Sequence, residues 1–189
     1  MINQIKSMIN ESSETMRLCE KLVPQIAEAA ELITNALKNN KKIILAGDGG
    51  SAAMSSHIAA EFTGKYKLER RGLPAIALTT DLAAITAIGN DYGFDKVFER
   101  QIEALGNVGD VFIALSTSGN SLNIIKAAEK AKKMNIHVIG LLGKNGGKMK
   151  NMSDVEIIVP SDNTPRIQEA HLMILHMICE LVEKELFGK

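Results

Sequence analysis

Five short apolar runs divide the chain from residue 42 onward, and each is followed by a loop rich in Gly, Ser, Thr or Asp and then by a segment with helical periodicity. The runs cover residues 43–46, 75–78, 111–115, 138–142 and 155–159. Four of them are almost continuously apolar, as strands buried on both faces are, and the segments between them are long enough for crossover helices. The pattern predicts an α/β protein with a three-layer, doubly wound sheet of five parallel strands.

Helical periodicity dominates both ends of the chain. Residues 2–22 and 24–37 carry apolar side chains three and four positions apart, which predicts an amphipathic helical hairpin. Residues 164–186 predict a long apolar helix with Thr164 as its N-cap and Pro165 as its first helical residue. Because neither an internal repeat nor a linker interrupts the pattern, residues 1–189 are predicted to be one domain. The hairpin, residues 1–40, would pack on that domain or be swapped between subunits.

Composition narrows the class of protein. The 189 residues hold 22 Lys and Arg against 22 Asp and Glu, and 46% are hydrophobic, so we expect a folded protein without a basic surface for nucleic acid. The polar N-terminal stretch, residues 1–14, and the lack of a long apolar run predict a cytoplasmic protein with no membrane association. Cys19 and Cys179 lie far apart, which favours reduced, packed thiols.

The loop after the first predicted strand has the sequence GDGGSAA, residues 47–53, here called the glycine loop. A glycine-rich turn into a helix can direct backbone N–H groups at an anion, which predicts a phosphate or sugar cradle. Gly47, Gly49 and Ala52 also match a relaxed dinucleotide-binding fingerprint, but its acidic residue is missing at the usual place, and Asp81 comes late. A third interpretation is a tight turn that simply requires glycine.

The loop after the third predicted strand has the sequence STSGNS, residues 116–121, here called the serine loop. Its hydroxyl groups are those of Ser116, Thr117, Ser118 and Ser121. Four hydroxyls at the start of a helix can surround phosphate oxygens without any Lys or Arg, whereas ordinary helix capping needs only one. The serine loop therefore predicts a sugar-phosphate site.

These two loops and several further segments together resemble the sugar isomerase (SIS) domain family, and within it the isomerases of heptose phosphates. The segments are GDGGSAA, HIAAEFTGKY, AIGNDYGF, STSGNS, GKNGGKM and PRIQEAHLMILH. They occur in unbroken order from about residue 45 onward, and the N-terminal hairpin also fits, so the resemblance covers essentially the whole chain. Three positions depart from the usual pattern: Asp48 replaces Asn, Lys65 replaces Arg, and Pro165 replaces an Asp found in some members.

The resemblance implies an aldose–ketose isomerase that converts sedoheptulose 7-phosphate to D-glycero-D-manno-heptose 7-phosphate in a cytoplasmic homotetramer with active sites at subunit interfaces. It makes Glu61 and His176 the acid/base pair. It assigns substrate contacts to Asp48, Gly49, Gly50, Ser51, Glu61, Asn90, Asp91, Ser116, Thr117, Ser118, Ser121 and Gln168. It assigns one zinc ion per site to His57, Glu61, Gln168 and His176.

The spacing of His57 and Glu61 suits that chemistry. They stand four residues apart in a predicted helix, so they share one face beside the glycine loop. Isomerisation needs a base, a group that stabilises the enediolate and an acid, which a carboxylate, an imidazole and a Lewis-acid metal can supply. The alternative is an ordinary exposed surface pair.

The terminal helix places one constraint on the implied site. Gln168 and His176 are eight residues apart, a rise of about 12 Å, so one ion cannot comfortably bind both in one chain. The simplest arrangement takes one of them from a neighbouring chain. His171, in contrast, is predicted to be a buried core residue.

Two other functions share the fold. A non-catalytic SIS scaffold that binds a protein partner, like the replication-initiator-associating member, lacks counterparts of Glu61 and His176, whereas this chain has both. A phosphosugar-sensing regulator would usually append a DNA-binding domain, for which the sequence leaves no residues.

Overall fold

The computed structural model describes residues 1–188 and contains one sheet of five parallel strands. The strands are β1 (Ile43–Ala46), β2 (Ala75–Ala77), β3 (Val111–Ser116), β4 (His137–Gly143) and β5 (Val155–Val159). The α-helices are α1 (Ile2–Leu18), α2 (Val23–Lys38), α3 (Gly50–Thr63), α4 (Leu82–Tyr92), α5 (Val97–Leu105), α6 (Leu122–Lys133) and α7 (Thr164–Phe187). The predicted fold class is confirmed, and no predicted strand end differs from the observed one by more than one residue.

Two helix boundaries differ from the prediction. The first helix ends at Leu18 and continues as a 3₁₀ turn, Cys19–Leu22, because Pro24 has no N–H with which to extend the helix. At the other end Asn163, with φ −89° and ψ 111°, is the N-cap of α7, and Thr164 is already helical. Proline is tolerated throughout a first helical turn, so its position alone does not fix the starting residue.

The strand order is β2-β1-β3-β4-β5. The chain moves from β1 to one side of the sheet and then returns past β1 to form β3, so the direction of winding reverses between these two strands. Ligands of open α/β sheets bind at such a point, beyond the carboxyl ends of the strands. The glycine loop and the serine loop follow β1 and β3, so the topology brings them together there.

Alternate residues of the strands enter two separate cores. Ile43, Leu45 and Ile113 pack with residues of α2, α3 and α7, whereas Ile44 and Phe112 pack with residues of α5 and α6. All five side chains have zero relative exposure. Burial on both faces explains why the strands are recognisable as continuous apolar runs rather than as alternating patterns.

Apolar side chains are exposed on two helices outside these cores. On α1, Ile2, Ile5 and Ile9 are exposed, and every residue of α4 is at least partly exposed. Contiguous exposed apolar surface marks an interaction site. None of the helices in residues 1–188 is long and apolar enough to cross a membrane.

His171 is a buried core residue of α7, as predicted. Its Nε2 lies 2.9 Å from the carbonyl oxygen of Leu142, and burial lowers its pKa from 6.5 to about 4, against a smaller opposing effect of this hydrogen bond. Between pH 6.5 and 4 the unfolded chain therefore binds more protons at this position than the folded chain does, so acidification favours unfolding.

Because of His171, we expect the free energy of unfolding to fall by roughly 3 kcal/mol as the pH is lowered from 7 to 4. Urea unfolding at a series of pH values measures this, and in His171→Gln the acid dependence should be smaller by that amount. The exposed His137 is the matched control, because His137→Gln should leave the acid dependence unchanged. Equal acid dependence in wild type and His171→Gln would contradict the assignment.

Candidate active site

The glycine loop forms a tight turn from β1 into α3. Gly49 has φ +56°, and a Cβ added to Gly47 would lie 2.6 Å from the Cβ of Ser51. The turn therefore requires glycine for structural reasons, and it also presents the N-terminal end of α3 beyond the sheet. The dinucleotide alternative is not supported, because the carboxylate of Asp81 caps α4 by accepting a hydrogen bond from the N–H of Ala84 at 2.9 Å.

The hydroxyls of the serine loop do not cap α6. Ser121 occupies the N-cap position of α6, yet within the described chain its hydroxyl makes no cap hydrogen bond and instead lies 3.2 Å from Ser116 Oγ, which donates to it. Ser118 Oγ accepts from the N–H of Asn120 at 3.1 Å, and Thr117 is partly buried. Simple helix capping therefore does not account for the loop, because its hydroxyls are not used that way.

Residues 143–150, which begin with the last residue of β4, hold the serine loop in place through hydrogen bonds and close packing. The N–H of Met149 donates to the carbonyl of Gly119 at 3.0 Å, and the N–H of Lys148 donates to Asn120 Oδ1 at 3.1 Å. Gly119 has φ +64°, and Gly147 lies so close that an added Cβ would clash with Ser118 O and Gly119. The motif GKNGGKM thus fixes the shape of the serine loop.

One hydrogen bond joins the glycine loop to α6 across the switch point. Asn123 Nδ2 donates to Asp48 Oδ1 at 2.8 Å, and Asn123 Oδ1 accepts from the N–H of Ile124. Asp48, the departure from the usual Asn, therefore has a partner in this chain. Asn123 is not among the predicted site residues, although a polar residue on the buried face of α6 was the available signal.

Three ligand-type side chains converge on the side of α3 that faces α7. Nε2 of His57 lies 3.0 Å from Nε2 of His176 and 3.6 Å from Glu61 Oε1, and one potential ligand atom from each residue lies within 4.8 Å of those of the other two. We call these three residues the His–Glu–His cluster. The side chain of His57 is 47% exposed and that of Glu61 is 22% exposed, so the cluster is open to a substrate.

Two neighbours define the surroundings of the cluster. The ring of Tyr66 lies 5.7 Å from the ring of His176, tilted by 31°.

The second neighbour is Cys179. Burial, with a smaller contribution from the charge of Glu61, raises the pKa of Cys179 to about 12. Cys179 therefore stays a thiol and is excluded as a nucleophile at neutral pH.

Gln168 lies away from the cluster in this chain. Its Nε2 would be 2.7 Å from a Cβ on Gly50, so the amide covers the start of α3, while His57 and His176 meet two turns further along both helices. The sequence predicts that either Gln168 or His176 comes from a neighbouring chain. Because His176 meets Glu61 within one chain, Gln168 is the residue of the two that a neighbouring chain would have to supply.

Asn90 and Asp91 lie at the end of α4 and are exposed. Asn90 Nδ2 donates to Asp91 Oδ1 at 2.9 Å, so these two residues hydrogen bond to each other. Lys65 pairs with Glu69 at 2.6 Å on the exposed segment after α3. These positions belong to surfaces around the site rather than to the two loops.

The parallel sheet, the paired loops at its switch point and the His–Glu–His cluster define a sugar-phosphate-binding α/β protein of the SIS class. A family model described as "SIS domain" matches residues 9–143. The phosphoheptose isomerase of Geotalea daltonii is 52% identical over 190 residues, which cover 100% of this chain and 99% of that protein. The chain belongs to the phosphoheptose isomerase family.

Solved structures agree with this assignment. A phosphoheptose isomerase from Francisella tularensis has a TM-score of 0.94 at 38% identity, with 97% of this chain and 98% of that chain covered. The phosphoheptose isomerase GmhA from Neisseria gonorrhoeae has a TM-score of 0.92 at 45% identity, with 96% of this chain and 98% of that chain covered. The similarity therefore includes α7, which lies outside the range of the family model.

Proposed function

We propose that this protein converts sedoheptulose 7-phosphate to D-glycero-D-manno-heptose 7-phosphate. The observation that carries the proposal is that the serine loop, a phosphate-type cradle, lies beside the glycine loop at the switch point, and that the His–Glu–His cluster lies two turns further along α3. A heptose 7-phosphate has its phosphate at one end and its reacting carbons at the other. The product would be the first intermediate on the route to a nucleotide-activated heptose for surface polysaccharide, made in the cytoplasm.

The phosphate end would be held by the serine loop. Thr117, Ser118 and Ser121 supply hydroxyl donors, Ser116 donates to Ser121 and so orients its hydroxyl, and the start of α6 supplies backbone N–H groups and the positive end of a helix dipole. Ser51, Gly49 and Gly50 would contact the sugar from the glycine loop, with Asp48 oriented by Asn123 and with Asn90, Asp91 and Gln168 around the rim. A neutral loop suffices because charge-assisted hydrogen bonds to phosphate are strong.

The chemistry at the other end is a proton transfer between C1 and C2. Glu61 removes a proton from C1, the electron pair left behind forms the C1–C2 double bond, and the C2 carbonyl becomes the enediolate oxygen. His176 then supplies a proton to C2. O1 loses its proton as the C1 carbonyl forms, and O2 gains a proton to become a hydroxyl.

The donor set of the cluster fits a zinc ion. Ligands of a tetrahedral zinc ion with bonds of about 2.0–2.1 Å lie about 3.3 Å apart, and the separations of 3.0 and 3.6 Å bracket that value. His57, Glu61 and His176 would hold the ion, with Gln168 of a neighbouring chain as fourth ligand. Bound zinc would act as a Lewis acid that stabilises the enediolate. With one carboxylate oxygen on the ion, Glu61 would accept the C1 proton on its second oxygen. With Nε2 on the ion, His176 would donate its proton from Nδ1.

Incubation with sedoheptulose 7-phosphate, followed by NMR, tests the activity. Wild-type protein should form the aldose phosphate, and treatment with a chelator followed by addition of Zn²⁺ should remove and restore the activity if the ion is required. A folded protein that forms no aldose phosphate in either state would refute the proposal. It would favour the non-catalytic scaffold, a function that the convergence of Glu61 and His176 does not support.

Ser118→Ala and Ser121→Ala should each raise KM by about 10-fold and change kcat less, because the phosphate lies away from the reacting carbons and its contacts exist in ground and transition states alike. Steady-state kinetics measure both constants, with the exposed Ser13→Ala as control. Sedoheptulose without the phosphate should be a poor substrate. If it reacts as well as the phosphate ester, the serine loop has another role.

We propose further that the enzyme is a homotetramer in which the hairpin, residues 1–40, packs between subunits. The exposed apolar residues of α1 and the partly exposed α4 provide surface for such contacts. The tetramer would bring Gln168 of one chain to the cluster of another.

A mixture of Glu61→Gln and Gln168→Ala chains should therefore regain activity. Each variant alone forms tetramers with only defective sites, whereas mixed tetramers contain sites that combine an intact Glu61 with an intact Gln168. Refolding the two together, with mixed tetramers verified by mass spectrometry, measures the rescue. Absence of rescue would place Gln168 and Glu61 of each site on the same chain.

A further inference from the structure

A buried ion pair lies beyond the His–Glu–His cluster and takes no part in the chemistry proposed above. Arg70 Nε lies 2.8 Å from Glu183 Oε1, and the two side chains are only 1% and 2% exposed. Arg70 is in the segment that follows α3, and Glu183 is in the last third of α7. The pair therefore links the two helices that carry the cluster.

Glu183 fixes the segment after α3. Its carboxylate accepts hydrogen bonds from three consecutive backbone N–H groups, those of Tyr66, Lys67 and Leu68, at 3.1, 2.8 and 2.8 Å. Burial alone would raise the pKa of Glu183, but these N–H groups and Arg70 outweigh it and hold the pKa below its usual range. The carboxylate is thus charged and fully engaged.

Arg70 fixes the end of α3 itself. Its guanidinium donates to the carbonyls of Glu61, Phe62 and Gly64 at 2.8, 3.0 and 3.1 Å. The last carbonyls of a helix have no partner within the helix, so an outside donor determines how that end is held. One of the carbonyls that Arg70 binds belongs to Glu61, whose side chain is in the cluster.

The same pair also acts on the His176 side of the cluster. Glu183 follows His176 by seven residues, about two helical turns, so both lie on the same face of α7. Tyr66, held through its N–H by Glu183, has its ring 5.7 Å from the ring of His176. Each member of the ion pair is therefore tied to one half of the acid/base pair.

We propose that Arg70 and Glu183 are positioning residues that hold Glu61 and His176 at their working separation. The proposal rests on the proposed function of those two side chains. A buried ion pair adds little net stability, because desolvation offsets its attraction, but its fixed hydrogen-bond geometry can define one arrangement of two elements. Displacement of a reacting group by about 1 Å can cost as much as 10²-fold in rate.

Glu183→Gln tests the role, because it keeps the shape of the side chain and removes its charge. We expect kcat to fall by about 10-fold or more with KM changed by less than about threefold, since the serine loop is untouched. The NOE between the rings of His57 and His176 should weaken. The double variant Arg70→Gln/Glu183→Gln, which removes both charges, should show the same effects. It replaces the single variant if Glu183→Gln fails to fold because Arg70 is left as an unpaired buried charge.

The matched control is a second buried carboxylate, that of Asp110, whose hydrogen-bond partners lie outside α3 and α7. Asp110 is 1% exposed, pairs with Lys42 and accepts from the N–H of Lys42 and of Asn107 at the amino end of β3. Asp110→Asn should lower the Tm but keep the kcat and the NOE of the wild type. If kcat falls in both Glu183→Gln and Asp110→Asn, and by an amount that follows the loss of Tm, the proposal is overturned. The ion pair would then contribute only stability.

A folded Glu183→Gln protein, or a folded double variant, with wild-type kcat and an unchanged NOE would also overturn the proposal. Wild-type protein inactive on sedoheptulose 7-phosphate would instead refute the proposed function. In that case the NOE comparison, which needs no turnover, still decides whether Arg70 and Glu183 position the two histidines.

Discussion

Glu61→Gln is expected to fold like the wild type and to lose at least about 10²-fold in kcat, the usual contribution of a general base. The amide has nearly the same shape as the carboxylate but cannot accept a proton from C1. The side chain is only 22% exposed and lies 3.6 Å from His57 Nε2, so it occupies a defined place rather than free solvent. Turnover followed by NMR, together with Tm, measures the effect.

Glu129→Gln is the control for that substitution. Glu129 is an exposed residue of α6, on the opposite face of the sheet from α3 and α7. Its kcat and Tm should match those of the wild type. If the folded Glu61→Gln protein turns over at a near-normal rate, Glu61 is not the base.

His176→Ala is the second variant with a large expected effect, a loss of about 10²- to 10⁴-fold in kcat. It removes the proposed acid and one nitrogen ligand together, and it also deletes a ring that packs against Tyr66. Tm must therefore be measured beside activity. The exposed His137→Ala should leave both unchanged.

Added imidazole separates the two effects of His176→Ala. A free imidazole that enters the space left by the side chain should restore part of kcat without raising Tm. A His176→Ala protein with wild-type kcat would remove His176 from the mechanism.

The sheet is the part of the fold that local sequence reveals best. β1 and β5 begin and end where the apolar runs do. In β1 this follows from burial on both faces of the sheet, since the neighbours Ile43 and Ile44 are both fully buried. Helix ends are less well determined, because several residues in a first turn can serve as cap, as Asn163 and Thr164 illustrate.

The candidate site is only partly visible in the sequence. The pairing of His57 with Glu61 follows from helical spacing, but the approach of His176 depends on α7 packing beside α3, across a separation of 119 positions. The contact of Tyr66 with His176 depends in turn on how Glu183 holds a non-helical segment. Such contacts come from tertiary packing, so periodicity carries no signal for them. The family resemblance supplied His176, and no pattern indicated Arg70.

Conversion of sedoheptulose 7-phosphate in D₂O tests the central claim, proton transfer through an enediolate at the His–Glu–His cluster. The cluster is open to water, with His57 47% exposed, and removal and return of the proton are assigned to different residues, Glu61 and His176. We therefore expect NMR to find the aldose phosphate with deuterium at C2, and neither product nor exchange at C1 of the substrate in Glu61→Gln. Aldose phosphate formed without deuterium at C2 would mean that the hydrogen taken from C1 is returned to C2 without exchange with water, and would contradict the account.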